Sequence, residues 1–146
     1  MFRNILVAFD GSPTSQAALE VAIDLAQRLR SRLTLISVSP EIPGYAYRAA
    51  IDVEALRSEV ESETERLLRE AVESVPDDVP VTSVLKQGRA GEEIVAQIEA
   101  GGHDLLVSGS RGRGRVATNL LGSVNAHVFF HRHIPMLVIP PREDSD

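Results

Sequence analysis

The sequence contains no cysteine, no long apolar run and no excess of basic residues. Without cysteine, disulfides, thiolate nucleophiles and cysteine metal sites are excluded, as is usual for a cytoplasmic protein. No apolar run approaches the roughly 18 residues of a membrane-spanning helix, and the first residues do not show the pattern of a secretory signal. We therefore expect a cytoplasmic protein that does not associate with membranes.

The charge of the chain also limits its partners. The formal net charge is −6 at pH 7. Nucleic-acid binding depends on lysine and arginine side chains that neutralise phosphates, so we do not expect nucleic acid as the main ligand. A locally basic loop is still compatible with one bound nucleotide.

The length and composition are those of a single soluble globular domain. The chain has 146 residues, of which 43% are hydrophobic and 25% are charged. A chain of this size can bury one hydrophobic core. We expect one domain over residues 1–141, followed by a short polar tail, residues 142–146, that is disordered.

Short apolar strands alternate with helical patterns along the chain. This alternation predicts an α/β fold with an open, five-stranded parallel sheet and helices on both faces. The predicted strands are Asn4 to Phe9, Leu33 to Val38, Val81 to Leu85, Leu105 to Ser108 and Pro135 to Ile139. The predicted helices are Pro13 to about Arg30, about Asp52 to Val75, Glu92 to Ala100 and Val124 to His131, and Pro40 to Tyr47 is predicted to be a loop. In the first helix, the residues expected to face the core are Ala18, Val21, Ala22, Leu25 and Leu29.

The segment from Gly109 to Ser123 follows the fourth strand and is rich in glycine. Glycine allows main-chain N–H groups to point inward without a Cβ in the way. The Gly122-Ser123 pair opens the last predicted helix, whose N-terminus adds unpaired N–H donors and the positive end of a dipole. The segment therefore predicts a binding loop for a nucleotide phosphate. Each residue taken alone is more typical of a turn or a helix cap than of a phosphate site, so the combination carries the prediction.

The C-terminal ends of the first two strands are expected to meet this loop. Parallel open sheets bind ligands in the crevice beyond the carboxyl ends of their strands. Asp10 follows the first strand, and Val38 ends the second. The Asp10 carboxylate can accept hydrogen bonds from ribose hydroxyls or an adenine amino group, or hold a magnesium ion. It also opens Asp-Gly-Ser-Pro, a good turn and cap sequence, and both interpretations stay open.

Two common nucleotide motifs and a zinc motif are absent. Arg115-Val116 stands where a Walker P-loop needs Lys-Ser or Lys-Thr, and no G-x-G-x-x-G fingerprint is present. His127 and His131 are four residues apart, but no glutamate follows His127, so no metal site is predicted. Alternating side chains of an extended loop cannot all face one ligand, so we expect only one of three arginines to reach a γ-phosphate: Arg111, Arg113 or Arg115.

The glycine spacing resembles the nucleotide-binding signature of the universal stress protein family. The signature is G-x-x-G, nine residues, then G-[ST], and Gly109, Gly112, Gly122 and Ser123 meet it in full. The resemblance covers nearly the whole chain, including the segments Ile5 to Ser12, Gly88 to Ile94, His103 to Val107 and Ile134 to Ile139. Two residues depart from the family pattern: Ser108, where a bulkier apolar residue is common, and Ala90, where proline is frequent.

This resemblance implies a Rossmann-like, adenine nucleotide alpha hydrolase-like fold. It also implies a homodimeric cytoplasmic stress-response protein that binds ATP, with or without Mg²⁺, or ADP or AMP. Asp10 and Val38 would contact the nucleoside, while the glycine loop would hold the ribose and phosphates. The residues expected at the nucleotide are Ala8, Asp10, Val38, Gly109, Ser110, Arg111, Gly112, Arg113, Arg115, Gly122, Ser123 and Val124.

Efficient catalysis is not expected. No Ser-His-Asp set, paired carboxylates or cysteine nucleophile stands out, and only part of a phosphoryl-transfer site is recognisable. The leading hypothesis is an ATP-binding regulatory protein with an unknown protein partner. The alternatives are a dimeric interaction module without nucleotide, and a slow ATPase or autophosphorylating enzyme that uses Ser110 or Thr118. We expect dimerisation through the last strand, Pro135 to Ile139, which would pair with its copy at a sheet edge.

Overall fold

A computed structural model of the protein describes residues 1–49, 52–110 and 122–141. The described elements are β1 (Asn4–Ala8), α1 (Pro13–Leu29), β2 (Arg32–Ser39), α2 (Gly44–Arg48), α3 (Val53–Glu73), β3 (Val81–Gln87), α4 (Ala90–Gly101), β4 (Leu105–Gly109), α5 (Gly122–His131) and β5 (Met136–Ile139). The predicted tail, residues 142–146, lies outside the described residues.

The five strands form one parallel sheet in the order β3-β2-β1-β4-β5. This arrangement confirms the predicted α/β fold with an open five-stranded sheet. The chain moves outward from β1 to β2 and β3, and then crosses to the other side of β1 for β4 and β5. Ile5 of β1 therefore lies between Leu33 of β2 and Leu105 of β4. The strand order reverses between β1 and β4, which is where a doubly wound sheet opens a crevice.

Helices cover both faces of the sheet. Alternate residues of β1 point to opposite faces, so Ile5 and Val7 pack with α1 and α3, while Leu6 packs with α4 and α5. All three side chains are completely buried. Burial on both faces explains why the strands read as nearly continuous apolar runs.

The sequence-based prediction was wrong about one loop and about the buried face of α1. Residues 44–48, predicted as loop, form the short helix α2, which is tied to α3 by a 2.9 Å hydrogen bond from Arg57 to the Tyr47 hydroxyl. In α1, Leu29 is exposed, whereas Leu19 and Ala26 are buried in its place. The buried stripe of α1 is therefore rotated relative to the predicted one.

No helix among residues 1–49, 52–110 and 122–141 is long and apolar enough to span a bilayer. The longest of them, α3, carries charged residues along its length and buries only Leu68 and Ala71.

A buried histidine, His103, lies near the N-terminal ends of the strands, where it hydrogen-bonds to β1 and α4. His103 Nδ1 lies 3.0 Å from Asn4 Oδ1, and its Nε2 lies 3.1 Å from the Gln97 amide nitrogen. The Asn4 amide donates to the Gly101 carbonyl, so its oxygen accepts from His103, and Gln97 donates to the other ring nitrogen. Burial lowers the pKa of His103, although its hydrogen bond with Asn4 and the charge of Asp104 act in the opposite direction. The network suits the neutral ring.

We expect the free energy of unfolding to fall as the pH is lowered through about 6.5, the pKa of an unfolded histidine. Below that pH, His103 binds a proton in the unfolded chain, whereas in the folded protein its lowered pKa keeps it neutral. Proton binding therefore favours the unfolded state. Urea unfolding at pH 7.5 and 5.5 measures the difference. The loss should be smaller in His103→Gln, and an equal loss in both proteins would contradict this assignment.

Candidate functional site

A cleft opens at the C-terminal ends of β1, β2 and β4, where the strand order reverses. The empty space between its lining residues is about 610 Å³, including the space that is open to solvent. Every described residue that the sequence placed at the nucleotide lines it: Ala8, Asp10, Val38, Gly109, Ser110, Gly122, Ser123 and Val124. Arg111, Gly112, Arg113 and Arg115 lie outside the described residues.

Several lining residues were missed by sequence reasoning. They are Phe9, Ser15, Ile36, Ala90, Ile94, Ser108 and Asn125. Ala90 and Ile94 belong to the first turns of α4, which the chain order alone does not place beside β1 and β2. A prediction of strand order would have been needed to include them. Their apolar side chains, with Ile36 and Val38, give one wall of the cleft a non-polar surface.

Asp10 stands at the turn from β1 into α1. Its Oδ1 accepts a 2.9 Å hydrogen bond from the Ser12 amide. Ser12 in turn caps α1, because its hydroxyl accepts from the Ser15 amide, and Pro13 follows at the first helical position. The turn interpretation of this sequence is therefore confirmed. Asp10 also lines the cleft, so its ligand role stays a prediction beside the turn role.

Gly109, the last residue of β4, is in close contact with α1. A Cβ added to it would lie 2.7 Å from the Thr14 carbonyl carbon and still closer to the Thr14 hydroxyl. Real Cβ atoms do not approach other atoms so closely. Glycine is therefore required here because the first turn of α1 packs directly on β4, independently of any ligand.

The N-terminus of α5 forms the far side of the cleft. Gly122 has a φ of +70°, a conformation that glycine adopts without strain, and Ser123 beside it is exposed. The helix begins at Gly122, two residues earlier than the sequence predicted. The first N–H groups of a helix have no partner within it and carry partial positive charge. This part of the cleft can therefore accept an anion.

A buried polar pair joins the start of α5 to the end of β4. The Ser108 hydroxyl donates a 2.6 Å hydrogen bond to Asn125 Oδ1. The Asn125 amide donates a 2.9 Å hydrogen bond to the Gly109 carbonyl. Both side chains face the cleft, and only 3% of Ser108 and 4% of Asn125 is exposed.

His127 and His131 of α5 stack with their ring centroids 4.0 Å apart, and His131 Nδ1 bonds to the His127 carbonyl. Within the described part of the chain, no group of three or more histidine, aspartate or glutamate side chains is arranged to hold a metal ion.

Comparison with known proteins places the chain in a family. Residues 1–140 match the model of the universal stress protein family. Universal stress protein YxiE of Bacillus subtilis is 30% identical, over 95% of this chain and 99% of the relative. The structure of UspA from Lactobacillus plantarum matches with a TM-score of 0.80 at 22% identity, covering 94% of this chain and 97% of that one.

Two similar structures hold nucleotides. A universal stress protein in complex with cAMP matches with a TM-score of 0.69 at 23% identity, over 94% of this chain and 97% of its own. A family protein from Arabidopsis thaliana with AMP bound matches with a TM-score of 0.70 at 20% identity, over 97% and 94%. The family model matches residues 1–140, and the YxiE alignment covers 95% of this chain. The chain therefore belongs to the universal stress protein family.

Proposed function

We propose that this protein binds an adenine nucleotide in the cleft between β1, β2, β4 and α5. The observation that carries the proposal is the meeting of a non-polar wall, the Asp10 carboxylate and the N-terminus of α5 at the point where the strand order reverses. The AMP and cAMP complexes of two structural neighbours support an adenine nucleotide in particular.

Each part of the cleft suits one part of the ligand. Ile36, Val38 and Ile94 offer a non-polar surface for the base. Asp10 lies where it can accept from the ribose hydroxyls or the adenine amino group. The first amides of α5 and the Ser123 hydroxyl suit the phosphates, as a helix N-terminus commonly does. From the sequence, Gly112 and one arginine of the loop add to the phosphate site.

The nucleotide acts as a regulatory ligand in this proposal, and hydrolysis is slow or absent. ATP, with or without Mg²⁺, is the expected form, and ADP and AMP are alternatives. Ser110, the described candidate for autophosphorylation, lines the cleft, and its amide donates to the Ile139 carbonyl at 2.9 Å.

The test is the nucleotide content and affinity of the purified protein. Mass spectrometry of the denatured protein should identify any co-purified adenine nucleotide. Calorimetric titration with ATP, ADP, AMP and GTP, each with and without Mg²⁺, should then show binding of adenine nucleotides and much weaker binding of GTP. The absence of binding by all three adenine nucleotides would refute the proposal and favour a dimeric module without nucleotide.

We also propose that the protein forms a homodimer through β5. This strand lies at the edge of the sheet, so one side of its backbone has no strand partner among the residues that the structure describes. Leu137 on it is 37% exposed, and Phe129 and Phe130 of α5 are exposed as well. Pro135 and Pro140 flank the strand and limit the length of any pairing. A two-fold axis would pair the strand with its copy and cover these apolar side chains.

Leu137→Lys is expected to convert the dimer to a folded monomer, because each copy would bring a charge into the apolar contact. Leu85→Lys is the matched control, since Leu85 is 40% exposed on β3 at the opposite edge of the same sheet. Light scattering at tens of micromolar protein separates the states. A monomeric parent protein, or a Leu137→Lys variant that stays dimeric, would argue against the interface.

A further inference from the structure

The first turn of α5 is anchored to the sheet by one buried side chain. Within α5, Asn125 and Val128 are the buried residues, and Gly122, Ser123 and Val124 are more accessible. Val128 is in the middle of the helix and packs in the apolar core with Leu6 and Ile36. Asn125 is the buried contact nearest the cleft, and it holds the helix through directional hydrogen bonds.

We propose that Asn125, together with Ser108, is a positioning residue that aims the N-terminal amides of α5 at the phosphate of the nucleotide. This inference rests on the proposed function. It extends that function to the preference for phosphorylated ligands over the bare nucleoside. Asn125 would produce this preference without contacting the ligand.

The geometry of the pair explains how it would work. The Asn125 oxygen is fixed by Ser108, and its nitrogen is fixed by the Gly109 carbonyl, so two bonds at 2.6 and 2.9 Å set the position of the amide plane. Ser108 and Gly109 are both in β4, which is itself hydrogen-bonded between β1 and β5. The start of the helix is therefore fixed relative to an inner strand of the sheet. An apolar side chain in place of Asn125 would allow the turn to slide or tilt.

Ser108 is the partner of Asn125 in this pair. The family commonly has a bulkier apolar residue at this position. Serine here is explained by its hydroxyl, which donates to Asn125. A buried amide that lost this donor would keep one hydrogen bond and an unsatisfied oxygen. We therefore expect the serine and the asparagine to act as a unit.

The experiment compares AMP with adenosine in the variant Asn125→Ala. If Asn125 positions the phosphate donors, AMP should bind about tenfold more weakly, which is about 1.4 kcal/mol, while adenosine binding should change by less than about twofold. A residue that only stabilises the fold would change both affinities together or neither. Ser108→Ala, which removes one of the two bonds and preserves most of the packing, should reduce the ratio of AMP to adenosine affinity by about threefold.

Asn4→Ala is the matched control. Asn4 is also a buried asparagine that binds a carbonyl of a helix, but it lies at the other end of the sheet and contacts Gly101 of α4. It should lower the thermal stability without changing the ratio of AMP to adenosine affinity.

The outcomes separate this inference from the proposed function. Failure of the unmodified protein to bind AMP would overturn both. Normal AMP binding by the parent, combined with an unchanged affinity ratio in folded Asn125→Ala, would overturn the positioning role alone. If Asn125→Ala does not fold, an unchanged ratio in Ser108→Ala would overturn it equally.

Discussion

Gly109→Ala is expected to lower the free energy of unfolding by about 2 to 3 kcal/mol, a large effect for one methyl group. The added Cβ would lie 2.7 Å from the main chain of Thr14, so α1 or β4 must move. Flexible side chains cannot relieve this contact, because the carbonyl carbon belongs to the first turn of a helix that packs on the sheet. The melting temperature should fall by roughly 4 to 12 °C, as measured by circular dichroism.

Gly44→Ala is the control for this substitution. A Cβ at Gly44 would meet no atom within 4 Å, and its φ is not positive, so the change should be neutral or slightly stabilising. Equal melting temperatures for Gly109→Ala and the parent would mean that α1 and β4 are less closely packed than the structure shows.

Gly122→Val is expected to reduce the affinity for AMP by at least about 30-fold, equivalent to about 2 kcal/mol. Gly122 has a φ of +70°, which a β-branched residue tolerates poorly, and its Cβ would lie 3.1 Å from the Ser110 carbonyl oxygen. The first turn of α5 would therefore change its path, and the proposed phosphate donors would move with it. Titration calorimetry at a temperature where the variant is folded measures the loss.

Gly102→Val is the control that separates a loss of AMP affinity from the effect of backbone strain at a positive φ. Gly102 has a nearly equal φ of +64° and no neighbour within 4 Å of a Cβ, but it ends α4 at the opposite end of the sheet. Both variants should lose about 1 to 2 kcal/mol of stability. Only Gly122→Val should lose nucleotide, and similar affinities for the two variants would contradict a phosphate site at α5.

The strands and long helices were predictable because their signals are local. Residues such as Ile5, Leu6 and Val7 are consecutive and apolar, and this pattern is enough to identify a strand covered on both faces. The same is true of Ser12 and Pro13, whose cap and first-position roles depend only on their neighbours. The helix α2 has no such signal, since its five residues are stabilised partly by the contact between Tyr47 and Arg57 of another helix.

The buried face of α1 shows a different limit. Apolar residues of the helix lie on more than one side, and periodicity alone does not say which side the sheet meets. The sheet meets the side with Leu19 and Ala26, and Thr14 in the first turn packs against Gly109 of β4. Leu29 is consequently left exposed although it continues the predicted stripe.

The candidate site was predictable where glycine spacing and strand ends mark it, and not where it depends on strand order. Asp10, Val38 and the residues around Gly109 follow from the rule that ligands bind beyond the C-terminal ends of parallel strands. Ala90 and Ile94 enter the cleft only because α4 crosses to the face shared by β1 and β2. Asn125 belongs to no motif, and its proposed role depends on a contact with a residue 17 positions earlier.

The position of β1 in the middle of the sheet has a consequence for synthesis of the protein. Asn4 of β1 contacts Asp104, 100 residues later. At about 5 to 20 residues per second, a ribosome takes roughly 5 to 20 s to make that partner. During this time, the edge of β1 that pairs with β4 in the finished fold has no strand beside it. Both walls of the cleft exist only after β4 and α5 have followed. A nucleotide bound in the proposed site would therefore stabilise the finished domain by mass action, but it would not guide the folding of the nascent N-terminal half.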